Sequence, residues 1–126
     1  MRHSLPDERR SITHGFEINS VAFGRVKCHV TVGLYDDGSP GEIFARMNCG
    51  SSVAVTTASV LLDQWAIGVS LLLQNEVPIG SIVAKFRGVT CEPRGWTASE
   101  QIHSCLSPVD YIAKWLDLRF CNETEG

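Results

Sequence analysis

The chain has 126 residues, 44% of them hydrophobic and 20% charged, with 11 basic against 14 acidic side chains and a formal net charge of -3. That length supports one hydrophobic core, because folding at this size buries roughly two-thirds of the surface the unfolded chain exposes. The acidic balance argues against any general attraction to phosphate backbones, so nucleic acid is not an expected partner.

In chain order, residues 1–10 are polar and charged and read as an N-terminal arm, with no apolar run of the kind a secretory signal needs. From Ile12 the pattern alternates, with His14, Phe16 and Ile18 on one face and Thr13, Gly15 and Glu17 on the other, which predicts a strand. Lys27–Tyr35 predicts a second strand, in which Val30, Val32 and Leu34 share a face. The cluster Asp36-Asp37-Gly38-Ser39-Pro40-Gly41 is a strong turn signal, and Glu42–Met47 returns with Ile43, Ala45 and Met47 on one side. A three-stranded antiparallel meander is expected.

After Asn48-Cys49-Gly50-Ser51-Ser52 the period becomes helical. Val60, Leu61, Trp65, Val69, Leu72 and Leu73 predict one long, almost wholly buried helix ending near Asn75. Val53 to Asn75 carries a single charge, Asp63, and is long enough to span a bilayer, but Gln64, the small polar residues and the lack of a flanking basic cluster fit a core helix better. No membrane partner is expected. Pro78 can open a second helix whose Ile79, Ile82, Val83 and Phe86 form one stripe until Gly88 stops it. Val89 to Leu106 reads as a Pro- and Gly-punctuated loop. Ser107 and Pro108 then suit the start of a third helix, with Ile112, Trp115, Leu116 and Phe120 buried. The order implies a single α+β domain over residues 1–126, its three helices packed on one face of the three-stranded sheet.

The five cysteines, Cys28, Cys49, Cys91, Cys105 and Cys121, are an odd number at wide spacing with no C-x-x-C pair. This argues against a zinc ribbon, a redox pair or a secreted disulfide framework, and for reduced thiols in the cytoplasm. His3, His14, His29 and His103 show no metal-ligand spacing. His103-Ser104-Cys105 sets a base near a nucleophile, but no third member or oxyanion hole accompanies it, so no catalytic residue is assigned.

Two places suit a ligand. The Gly50-Ser51-Ser52 step enters a helix, where free N–H groups and the helix dipole can hold a phosphate on Ser51, with Arg46 assisting if it points there; the plainer use is a helix cap. Glu92-Pro93-Arg94-Gly95-Trp96-Thr97 combines a rigid proline, a permissive glycine, an aromatic face and a guanidinium. With Arg87 near in sequence, it suits a nucleotide-like ligand. The plainer use has Trp96 plugging the helix–sheet junction and Glu92 paired with an arginine.

The run Thr31–Met47, TVGLYDDGSPGEIFARM, resembles the TVGLYxDGxPGEIFxRM segment near the C-terminus of adenosylcobalamin-dependent (class II) ribonucleotide reductases. Leu5–Arg9 and Ile12–His14 resemble that family's LPDER and ITH, and Lys85–Arg87 with Glu92-Pro93 and Gly95–Thr97 resembles KFR and FEPSGWT. Asp110–Ile112, Trp115-Leu116 and Leu118–Phe120 resemble DYIxxWLxLRF. The chain also resembles the reductase-associated group named for its TSCPD sequence, although that pentapeptide is absent. Cys91 and Arg94 replace the phenylalanine and serine of FEPSGWT, Asn48–Ser59 is longer and less charged than the reductase form, and no cysteine-rich tail follows Phe120.

The resemblance implies a free-standing accessory domain that binds rather than catalyses. The large catalytic barrel, radical cysteine and redox pair of the reductases have no counterpart in 126 residues; Asn48-Cys49-Gly50 is superficially like the radical-cysteine loop but lacks its glutamate. Adenosylcobalamin would then belong to the full-length enzyme and not to this chain. The implied partner is a reductase catalytic chain. A different reading, motivated by Arg94 and the altered Asn48–Ser59 stretch, is a homo-oligomer holding a nucleotide or nucleotide-derived signal between subunits, as a phage-encoded sponge would. Self-association is expected under either reading, from the apolar long helix and three tryptophans.

Overall fold

The structure is a computed structural model that describes residues 4–48 and 53–121. Its elements are β1 (Ser11–Ser20), β2 (Gly24–Leu34), β3 (Pro40–Asn48), α1 (Val53–Gln74), α2 (Ile79–Phe86), β4 (Gly95–Trp96), β5 (Ser104–Cys105) and α3 (Pro108–Leu116), which runs into a π-helical turn, Asp117–Cys121. The architecture is α+β, as the element order implies. The Gly50-Ser51-Ser52 step and Cys49 lie outside the described residues.

Alternation in the sequence becomes register in the sheet. Phe16 faces Cys28, Ile18 faces Val26, and Val30 and Val32 face Ala45 and Ile43, so the apolar positions of three strands fall on one side and are buried together. The turn between β2 and β3 closes as its composition predicts. Tyr35 N donates to the Ser39 carbonyl at 2.9 Å, and the Asp37 carboxylate accepts from both N and Oγ of Ser39.

The sheet has five strands, not three, in the order β3-β2-β1-β4-β5. The extra two are dipeptides inside the segment read as a loop, too short to carry any periodicity. Asn19 pairs with Trp96, and Ser20 with Gly95. Gly95 has φ of 153°, and a Cβ there would collide with the Asn19 carbonyl oxygen, so a glycine is what allows this strand to close on β1.

Helix α1 lies along the outer edge of β3 and bonds to it through side chains. Ser70 Oγ accepts from Ile43 N at 2.7 Å and donates to Ile43 O or Ala66 O; Ser59 Oγ does the same for Met47 N and O; Gln74 Nε2 donates to Gly41 O at 3.0 Å. The spacing explains the fit, because eleven helical residues rise about 16 Å while the four-residue step between Ile43 and Met47 spans about 13 Å.

This placement corrects the expectation of an almost wholly buried helix. Leu62, Ala66, Val69 and Leu73 join the core, whereas Val60 and Leu61 are 57% and 65% exposed, and Ile67, Leu71 and Leu72 are exposed beside them. The reason is geometric: α1 covers only the β3 side, and α2 and α3 pack on each other. Trp65 meets Phe86 of α2 edge-on, with ring centroids 5.4 Å apart, which leaves the far side of α1 bare. By length and composition α1 could cross a membrane, but its bonds to β3 make it a core helix with one apolar face outward.

Ser107 caps α3 as predicted, accepting from Asp110 N at 2.9 Å, with Pro108 in the first turn. The helix then lays Tyr111 on Phe16, ring centroids 3.8 Å apart, and Trp115 on His14 at 5.2 Å.

Candidate functional site

The residues singled out in the sequence do not form one cluster of contacts. Glu92 and Arg94 pair with each other, Arg94 Nε donating to Glu92 Oε2 at 3.0 Å, and Glu92 Oε1 also accepts from Arg94 N and Ser20 Oγ. Arg87, the C-cap of α2, pairs with Asp117 at 3.4 Å. Trp96 is 69% exposed, so it does not plug the helix–sheet junction, while Thr97 Oγ1 donates to Ile102 O and its N to His103 O. Arg46 stands on the outward face of β3 opposite His29, and Ser51 is outside the described residues. Glu92 therefore organises its own loop and the end of β1. That leaves Trp96 as the loop's free aromatic face.

Asp110 is the polar residue that pattern reading passed over. Its fully buried carboxylate accepts from Gly88 N at 2.7 Å and Leu106 N at 2.9 Å, and Lys114 Nζ lies 3.0 Å away. It ties the end of α2, the β5 strand exit and α3 to one point. Burial pushes its pKa upward, but the two backbone hydrogen bonds and the ammonium outweigh that, and the net shift is down. Apart from its place in the Asp110–Ile112 resemblance, the signal in the sequence was an acid in the first turn of a capped helix, which is common enough to say nothing of burial.

Two of the thiols, Cys91 and Cys105, lean away from reactivity. Burial pushes Cys105 up to about 11, against a hydrogen bond from Gly95, and burial followed by the Glu92 charge raises Cys91. A nucleophilic or redox cysteine needs the opposite shift. His14 is held below its ordinary pKa by burial, stacked between Tyr111 and Trp115 with Nε2 2.9 Å from the Tyr111 hydroxyl. Among the described residues no three His, Cys, Asp or Glu side chains are placed to hold a metal.

A groove of about 530 Å³ lies beside His14, Ser99 and Tyr111, and two larger ones lie around the β2–β3 turn. The larger two, of about 830 and 850 Å³, share Asp37, Ser39, Pro40 and Ile79. Their walls bring together residues of the N-terminal arm and β1, the β2–β3 turn and the chain after α3. The N-terminal arm is fastened there by Arg9, which donates to both oxygens of Glu42 at 2.6 and 3.2 Å. Gly41 leaves room for Leu5 and Tyr35, either of which a Cβ would overlap.

The described residues form a small α+β domain whose fourth strand closes on β1 through a glycine and whose edge strand β3 is bonded by side chains of α1. The TSCPD domain family matches residues 4–120, and the chain belongs to that family. It is 39% identical over 119 residues to a vitamin B12-dependent ribonucleotide reductase of Rhodopirellula baltica, covering 94% of this chain and 11% of that one. It is 33% identical to the enzyme of the same name from Streptomyces avermitilis and 30% to that of Bradyrhizobium diazoefficiens, spanning 12% and 9% of their lengths. The chain thus spans about a tenth of these relatives. No solved structure matches.

Proposed function

We propose that this chain is a non-catalytic accessory module of deoxyribonucleotide synthesis that docks on the catalytic chain of a B12-dependent ribonucleotide reductase. The observation that carries this reading is coverage: 94% of the chain aligns with one domain-sized piece of a relative while 89% of that relative lies outside the match, taking the remainder after 11%. The raised thiol pKa values of Cys91 and Cys105 support binding over redox chemistry. In this reading adenosylcobalamin stays with the catalytic chain. The grooves here are of the size that holds a drug-sized ligand, and a corrinoid with its adenosyl group is larger. The setting is cytoplasmic.

The test has two arms. Purified chain given adenosylcobalamin, a dithiol and a ribonucleotide is expected to yield no deoxyribonucleotide above a no-protein control, and turnover would overturn the non-catalytic reading. It is expected to co-elute with a B12-dependent reductase deleted for its own matching segment. Failure to form that complex would overturn docking.

The outward face of α1 also sets the oligomeric state in this reading. Val60, Leu61, Ile67, Leu71 and Leu72 are exposed apolar side chains that a second copy would cover. Sedimentation at micromolar concentration should give a dimer or larger closed assembly. A clean monomer would count against self-association.

A further inference from the structure

We propose that the open edge of β1 is a docking site for an extended peptide segment, which adds to the sheet as a strand in the groove between β1 and the Ala98-Ser99 turn. The phase of the β1–β2 ladder carries this. Leu34 N donates to the Arg10 carbonyl at 2.9 Å, and in an antiparallel pair the bonded residues alternate with residues whose N–H and C=O turn to the other side. Ile12, His14, Phe16 and Ile18 therefore bond across to β2, while Ser11, Thr13, Gly15 and Glu17 present their backbone groups on the side away from it. Strand β4 covers that side only at Asn19 and Ser20. Among the described residues no hydrogen bond reaches the backbone groups of Ser11, Thr13, Gly15 and Glu17 on that side, an edge of roughly 20 Å.

This edge lacks the features that keep other strands away. Residues 11–17 include no proline and no lysine, and no bulge interrupts their pairing with β2. Gly15 stands exposed within it. Its φ is not positive, and a Cβ there would meet the His29 ring only at an ordinary 3.4 Å, so the fold itself does not call for a glycine. A bare backbone at that position suits the close approach of another one.

The groove supplies the rest. It runs beside His14–Glu17 with a volume of about 530 Å³, within the range of ligand sites. A groove of that volume takes one short segment of chain, not the edge of a second sheet. Its far bank is a fixed turn, in which Ser99 Oγ accepts from N of Gln101 and Ile102 at 3.2 and 3.0 Å. Side chains of an added strand alternate between two faces. Those on the inner face meet the rings of Phe16 and Tyr111, stacked 3.8 Å apart, and those on the outer face meet Glu17, Lys27 and His29. The segment that fits is therefore one in which apolar and polar residues alternate.

This docking surface is separate from the reductase reading and from the Arg94 loop, so neither stands or falls with it. Amide hydrogen exchange on the full chain is the first measurement. The N–H groups of Thr13, Gly15 and Glu17 should exchange at least about tenfold faster than those of His14 and Phe16, which are bonded to β2. Protection of these three in the chain alone, whether constant or growing with concentration as a second copy pairs there, would overturn the proposal. The probe for binding is a displayed library of random peptides of about twelve residues, selected on the immobilised chain. Enriched peptides should alternate apolar and polar residues, and the tightest should protect the Thr13, Gly15 and Glu17 amides. N-methylating its alternate amides, in one of the two phases only, should weaken binding at least about tenfold, the scale of one or two lost backbone hydrogen bonds. Gly15→Pro removes an edge N–H, and Ala98→Trp fills the groove from its other bank without touching β1; both should weaken binding to the same extent. Circular dichroism shows whether each variant folds. Failure to enrich any peptide, binding indifferent to N-methylation in both phases, or unchanged affinity in folded Ala98→Trp would each sink the assignment.

Discussion

Trp115→Ala should lower the unfolding free energy by about 3–5 kcal/mol, the usual cost of deleting a large core aromatic. The indole sits in a stack with His14 on one side and meets Phe120 edge-on on the other, and only 7% of the residue is exposed. Its neighbours are on different elements, β1 and the π-helical turn, so neither can move into the space without giving up its own contacts. Urea unfolding followed by circular dichroism measures the change. A midpoint within error of the parent would mean that the helix–sheet stack carries little of the stability.

Asp110→Asn should cost about 2–4 kcal/mol near neutral pH, because the amide keeps one acceptor for two backbone N–H donors and leaves Lys114 without its partner. The substitution also has a pH signature. A carboxyl whose folded pKa lies below its unfolded value near 3.9 contributes stability that is present above that value and lost as pH falls through the folded pKa. The parent should therefore lose stability on acidification below about pH 4, and the asparagine variant should lack that component. Parallel urea titrations from neutral to acid pH would show it. Identical acid profiles for the two proteins would remove Asp110 from this role.

What the sequence showed of this fold follows from the length of each pattern. The three long strands and three helices were legible because alternation or helical spacing ran through several residues of each, and Ser107-Pro108 marked its cap directly. The dipeptide strands β4 and β5 were not, since two residues have no period and their pairing depends on Gly95 passing close to Asn19. The exposed side of α1 was hidden for a different reason. An all-round apolar helix says that it can be buried, and only the placement of α2 and α3 says which side is. Grooves are harder still. Arg10 and Arg119 line one groove through the turn of the chain after α3, and no spacing in the sequence brings residues that distant together. Loop composition pointed instead to Arg94, whose guanidinium the structure commits to Glu92.

The serines of α1 have a further consequence for how this protein behaves at high concentration. Strand β3 is nine residues long and would otherwise present a row of open amides and carbonyls to any passing chain. Ser59, Ser70 and Gln74 occupy those groups at Met47, Ile43 and Gly41, which blunts the strand as a template for pairing. Replacing both serines by alanine would strip the Ile43 and Met47 backbone groups of their hydroxyl partners and offer them to water or to another strand, a step toward growth by backbone addition.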